Sequence, residues 1–278
     1  MEYKIIGDSC TDLPANLKED PHYQLIPLSI HIEDYTIVDD ETFDQADFLK
    51  RMSESKECPK SSCPSPEAYM EAYRGEEDVY VVTLSGNLSG SYNSAVLAKK
   101  LYLEENPKKN IGVIDSCSAS VGQALIAMKV QELAKKGLAF EAVMEKIRVF
   151  RDEMNTKFVL ESLETLRKNG RLNNLTAVVC NVLNIKPIMG ATPDGQICKI
   201  GQARGISRAI TDMAKAIAED AVDAANRTLG IAHCNNYQRA LHAKEEILKR
   251  IQFKNCVIVD TAGISSLYAN DGGVIVCY

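Results

Sequence analysis

The sequence predicts an α/β protein of two α/β domains, residues 1–153 and 154–278, the first built on a parallel sheet covered by helices. Three observations predict it. Short apolar runs alternate with helix-like patterns through the first half, the order that yields a parallel sheet with helices on both faces. Three of those junctions carry polar loops. Near residue 154 the pattern changes, and a second set of strands and helices follows with neither internal repeat nor low-complexity linker.

In chain order, apolar runs at residues 3–7, 23–30, 79–84 and 111–115 read as buried strands. Helical patterns occupy 43–54, 66–73, 91–104, 119–136 and 139–151, the last with Phe140, Val143, Met144, Ile147 and Phe150 on one side. Beyond Met154, Phe158-Val159-Leu160 leads into a short helix within 161–172 that stops at Gly170 with basic residues in its last turn. An apolar run from Ala177 to Leu183 follows. The segments 185–189 and 196–200 flank Pro193-Asp194-Gly195, a turn signal that predicts a hairpin. A long helix from Arg204 to Asp223, strands near 228–233 and 256–260, a helix near 237–250 and a final run from Val274 to Cys277 complete the second domain. Close packing of the two domains is expected, with a cleft between them.

A length of 278 residues suits two ordinary domains. A net charge of −6, with no basic stretch interleaved with aromatics, argues against nucleic acid as a partner. The first residues carry no signal segment, and no apolar run is long enough to span a bilayer, so a cytoplasmic protein is expected. Nine cysteines, an odd number without Cys-x-x-Cys spacing, predict reduced thiols. Cys58 with Cys63, and His233 with Cys234, lack a third and fourth ligand at usable spacing. No metal and no cofactor is expected.

The chemistry concentrates at the strand-to-helix junctions. The run ending at Leu84 opens into Ser85-Gly86-Asn87-Leu88-Ser89-Gly90-Ser91-Tyr92-Asn93-Ser94, almost wholly hydroxyls and glycines before a helix. Glycines admit a close backbone approach, and the first amides of a helix lack internal partners, so this loop suits an anion without any positive side chain. Gly7-Asp8-Ser9-Cys10-Thr11-Asp12 and Asp115-Ser116-Cys117-Ser118-Ala119-Ser120 repeat the arrangement. In open parallel sheets ligands bind beyond the carboxyl ends of the strands, so the three loops are placed to share one site. Helix capping by Ser, Thr and Asp is the alternative; the Ser85 to Ser94 loop holds more hydroxyls than one cap needs.

Enzyme signatures fail in turn. Gly86-Asn87-Leu88-Ser89-Gly90 has the wrong spacing for a nucleophile elbow, and only His233 and His242 lie downstream as a base. Neither a phosphate-binding P-loop nor a dinucleotide fingerprint occurs. A hydrolase or phosphoryl-transfer enzyme using Ser89 or Asp8 is the enzymatic alternative to a binding protein.

Asp8-Ser9-Cys10-Thr11-Asp12-Leu13, Ser61-Ser62-Cys63-Pro64-Ser65-Pro66, Leu88-Ser89-Gly90-Ser91-Tyr92, Asp115-Ser116, Leu163 to Leu172 and Lys186-Pro187-Ile188 together give a family likeness over nearly the full length. The chain resembles the DegV family, the fatty-acid-binding proteins that serve bacterial fatty acid kinases. The resemblance implies two α/β domains of DegV type with a long-chain fatty acid between them. Its carboxylate would be held by the Ser61-Ser62 loop and by Ser89 with Gly90, and presented to a separate kinase subunit that makes an acyl phosphate. It also implies transient contact with the membrane. Where the family often has His followed by one residue and Gly-Pro-Gly, this sequence aligns Tyr268, Ala269 and Asn270-Asp271-Gly272. A phenol still donates to a carboxylate, whereas Asp271 would repel one if it faced the ligand.

Arg167, Lys168 and Arg171, with Arg204 and Arg208, form the basic clusters of an otherwise acidic chain. They are candidates for docking the kinase, Lys168, Arg171, Arg204 and Arg208 above all. The first cluster equally suits a helix C-terminus, where the dipole favours cations.

Overall fold

The computed structural model describes residues 2–172 and 184–278. Its first half runs β1 (Tyr3–Asp8), α1 (Ala15–Lys18), β2 (Tyr23–Ile26), β3 (Ser29–Ile32), β4 (Tyr35–Val38), α2 (Gln45–Glu54), β5 (Lys60–Ser62), α3 (Pro66–Ala72), β6 (Asp78–Thr83), α4 (Ser91–Glu105), β7 (Ile111–Asp115), α5 (Val121–Lys135) and α6 (Phe140–Asp152). Strands β2-β1-β6-β7 form a four-stranded sheet whose pairs are all parallel. Helices cover both of its faces, so Ile5 and Ile6 of β1 and Val79, Val81 and Val82 of β6 are buried.

The run at 23–30 is two strands, not one. Pro27 has no N–H for a ladder, and the chain leaves the parallel sheet there. Downstream, β3 joins a three-stranded antiparallel sheet ordered β4-β3-β5.

The second half runs β8 (Thr156–Val159), α7 (Glu164–Lys168), β9 (Ile185–Ala191), β10 (Ile197–Arg204), α8 (Ile206–Asp220), a 3-10 turn (Ala224–Asn226), β11 (Thr228–His233), α9 (Tyr237–Leu248), β12 (Asn255–Asp260), α10 (Gly263–Ala269) and β13 (Val274–Cys277). Its sheet, β10-β9-β8-β13-β11-β12, is mixed: only β11 and β12 pair in parallel. The expected hairpin is β9–β10, its turn closed by Thr192 N donating to Gln196 O at 2.8 Å. The helix expected from Arg204 to Asp223 is shorter. Arg204 pairs with Ile185 as the last residue of β10, and α8 starts at Ile206. The apolar run from Ala177 to Leu183 lies outside the described residues.

Helix α5 joins the two halves. It packs on β1 and β6 from one side and on β11 and β13 from the other. Ala124, Ile126 and Ala127 therefore meet the parallel-sheet core, while Val121 and Leu125 pack with Ala232, Val259 and Cys277. The first two turns of α5, buried from Val121 through Ala127, have no solvent face because both sheets pack on them. Among the described residues no helix is long and apolar enough to cross a membrane.

Candidate functional site

The hydroxyl loop after β6 divides into a structural part and an exposed part. Asp8, fully buried at the end of β1, accepts hydrogen bonds from Leu84 N (2.8 Å), Ser91 Oγ (2.5 Å) and Gln123 Nε2 (2.8 Å). Burial pushes its carboxyl above the usual range and these bonds oppose that shift. Ser91 Oγ also lies 2.7 Å from the Tyr69 hydroxyl. Ser85 Oγ donates to Gly195 O (2.8 Å) and Asn87 Nδ2 to Asp194 O (2.6 Å), fastening the loop to the β9–β10 turn. Ser85 and Ser91 are thus structural. Ser89, half-buried, and Gly90, exposed before the first turn of α4, stay at the surface.

Beyond the carboxyl ends of β1, β6 and β7 lies a cavity lined mainly by apolar side chains, the character of a small-molecule site. All three loops contribute to it, through Cys10, Leu84 with Leu88, and Cys117 to Ser120. Phe158 and Ile275 from the six-stranded sheet, Leu160 just past β8 and Ile264 from α10 close the other side. The hydroxyls in this wall have protein partners: Ser118 Oγ stands 2.7 Å from Thr156 Oγ1, and Ser120 Oγ donates to Asp12 at 2.5 Å. What remains is an apolar interior.

Tyr268 and Arg171 give this cavity a polar end. The Tyr268 hydroxyl lies 2.9 Å from Ser61 Oγ, and the Arg171 guanidinium carbon lies 5.5 Å from the centre of the Tyr268 ring. Burial raises the phenol above its ordinary range, while the Ser61 bond and the Arg171 charge pull it back. Arg171 is aimed by the end of α7. Gly170 turns left-handed at φ 74°, with Arg171 N donating to Leu166 O (2.8 Å) and Gly170 N to Arg167 O (3.0 Å), the bond pair of a Schellman stop. Arg171 Nε then donates to Leu88 O at 3.1 Å, beside Ser89. Asn169 Nδ2 donates to Pro59 O at 2.9 Å and so ties the same turn to the segment entering β5.

A model of the DegV family matches residues 2–278. The chain belongs to the DegV family. A DegV family protein from Ruminococcus gnavus, in a crystal structure with vaccenic acid, is 49% identical with a TM-score of 0.97, covering 100% of this chain and 99% of its own. The Fatty Acid Kinase (Fak) B3 protein of Streptococcus pneumoniae, loaded with linoleic acid, is 34% identical with a TM-score of 0.90, over 100% and 99% of the two chains. A DegV domain-containing protein of Streptococcus pyogenes is 36% identical over 282 residues, 100% of this chain and 99% of the relative.

Within this DegV chain the candidate residues separate. Ser61 reaches Tyr268, but its neighbour Ser62 points to the other face of β5, where its hydroxyl lies 3.0 Å from His31 Nε2. Ser61, Ser89 and Gly90 stand beside the cavity rather than in its wall, which Leu88, Tyr268 and Arg171 form there. Asp271 is exposed and accepts from Asn235 Nδ2 at 3.0 Å, turned away from the cavity. Of the basic candidates, only Arg171 lines it. Arg167 and Lys168 pair with Glu164 at 2.6 and 3.5 Å, and Arg208 with Asp212 at 2.9 Å. Arg204 is exposed at the end of β10. Sequence reasoning expected an anion loop without a positive side chain and missed Arg171 at the cavity; the Gly170 stop followed by buried Leu172 was the available signal.

Proposed function

We propose that this chain binds one long-chain fatty acid, with its tail in the cavity and its carboxylate among Tyr268, Ser61, Ser89, Gly90 and Arg171. It then presents that carboxylate to a separate kinase subunit that converts it to an acyl phosphate. One observation carries the reading: an apolar cavity ends on the Tyr268–Ser61 hydroxyl pair beneath a guanidinium. Relatives crystallised with vaccenic and linoleic acids support it, and the name of the pneumococcal relative supports the kinase.

The magnitudes agree. Each methylene removed from water contributes about 0.8 kcal/mol, so about 14 of them give on the order of 11 kcal/mol gross, whereas a hydrogen bond to the charged head adds only ~1.5–3 kcal/mol. The tail dominates affinity in water. Against a bilayer the tail contribution nearly cancels, and the head-group contacts decide extraction. A carrier working in the cytoplasm with transient membrane contact fits that balance.

The alternative, an enzyme using Ser89 or Asp8, has less support. Asp8 is buried behind three donors, and the bond described for Ser89 Oγ is from the backbone N–H of Ser91 at 3.2 Å, not to a base. Incubating the protein with vesicles that contain labelled oleic acid tests the carrier reading. Re-isolated protein should hold about one acid per chain; saturable uptake far below that contradicts it.

A further inference from the structure

Helix α10 starts without a cap of its own. Its N-cap residue is Ala262, whose side chain accepts nothing, so the amides at that end need partners from elsewhere. Two buried aspartates of the first half supply them. Asp39 accepts from Gly263 N (2.6 Å) on one oxygen and from Ile264 N (2.9 Å) on the other. Asp12 accepts from Ala262 N at 2.8 Å. Asp39 and Asp12 are only 3% and 2% exposed, and no ion pair is described for either, so helix amides and hydroxyls stand where a cation would.

The small antiparallel sheet therefore grips α10 at both ends. Asp39 directly follows β4 and holds the first turn, while Ser61 on β5 meets Tyr268 near the last. Between them Ile30 of β3 packs with Ile264 and Leu267. Gly263 permits the grip: a Cβ there would stand 2.5 Å from Asp39 Oδ1 and 3.1 Å from Ile30 Cδ1.

We propose that Asp39, supported by Asp12, is a positioning residue for the carboxylate site: by capping α10 from the small sheet it sets where the Tyr268 hydroxyl stands against Ser61. The proposal rests on the fatty-acid reading above. Without the cap α10 shifts along its apolar seat, the Tyr268–Ser61 pair opens, and recognition of the carboxylate weakens. The apolar wall, and with it the hold on the tail, persists.

The test compares oleic acid with oleyl alcohol, which has the same chain and no carboxylate, by equilibrium binding to the full-length protein. Asp39→Ala should lower oleate affinity roughly ten-fold, the size of one lost charged hydrogen bond, and change oleyl alcohol less than about two-fold. In a Tyr268→Phe background Asp39→Ala should add nothing, because both act through the same hydroxyl. If Asp39→Ala does not fold, Gly263→Ala makes the same comparison, since it keeps the carboxylate but displaces it. Equal losses for acid and alcohol, or additive effects with Tyr268→Phe, overturn the proposal alone. A wild-type protein with no preference for oleate over oleyl alcohol overturns the fatty-acid reading, and the proposal with it.

Discussion

Tyr268 and Ser61 stand 2.9 Å apart, oxygen to oxygen, although 207 residues separate them in the chain. The contact joins α10 to β5 at the polar end of the cavity, under the Arg171 guanidinium. Replacing the phenol should therefore act on the head group and not on the fold. Tyr268→Phe is expected to weaken transfer of oleic acid from vesicles by about 1–3 kcal/mol, the cost of leaving a partly buried polar group without its partner. Equilibrium partition between vesicles and protein measures it, with circular dichroism confirming the fold.

Ser89 and Ser91 are two residues apart but have different expected roles. Ser89→Ala should impair uptake of the acid by about 1–3 kcal/mol and leave unfolding unchanged. Ser91→Ala removes a donor to buried Asp8 and the partner of Tyr69, so it should cost about 1–3 kcal/mol of folding stability instead. Urea titrations of both variants, alongside uptake assays, separate the two; equal effects on stability would contradict the assignment.

The third prediction concerns pH. Burial lifts the Asp12 carboxyl to about 7, against bonds from Ala262 N, Ser120 and Ser265 and with a smaller push from Asp39. Between about pH 4 and pH 7 the folded chain keeps a proton that the unfolded chain has released. The stability contribution of this site is present at the acid end and falls as pH rises through that window, by at most on the order of 4 kcal/mol. Above about pH 7 it is flat. The stability of the wild type minus that of Asp12→Asn, from urea unfolding across the range, should follow this course; a difference that grows with pH would reverse the sign and refute it.

Docking of the kinase is expected to use the exposed basic residues Lys168, Arg204 and Arg208. The ion pairs of Lys168 with Glu164 and Arg208 with Asp212 lie at the surface and hold these side chains weakly. Arg204→Glu combined with Arg208→Glu should slow acyl phosphate formation by the partner kinase and steepen nothing else: lipid content stays the same. Because complementary charge acts chiefly on association rate, the wild-type rate should fall with added salt more than that of the variant. A salt dependence shared by both proteins would remove these residues from the interface.

Much of the fold was legible because β1, β6 and β7 are buried on both faces and carry short apolar runs, and because Pro193-Asp194-Gly195 announces a hairpin. The small sheet was not. β5 is Lys60-Ser61-Ser62, three polar residues whose strand character comes from pairing with β3. Helix α10 was hidden for a related reason: its cap comes from Asp39, 224 residues away from Gly263, so no local signal marks its start. At the candidate site, Ser61 and Tyr268 were named from a family likeness, but the alternation that turns Ser62 toward His31 depends on the register of that unseen strand. Arg171 was read as a docking cation; the stop at its neighbour Gly170, which turns it toward the cavity, was visible in the sequence, but the cavity it turns to is built from residues distant in the chain.

The most direct test of the account is denaturing extraction of the protein as purified, followed by mass spectrometry of the released lipid and quantification against protein. The account predicts about one long-chain fatty acid per chain. Repeated preparations of folded protein that yield no stoichiometric fatty acid, and that take up none from vesicles, would contradict it.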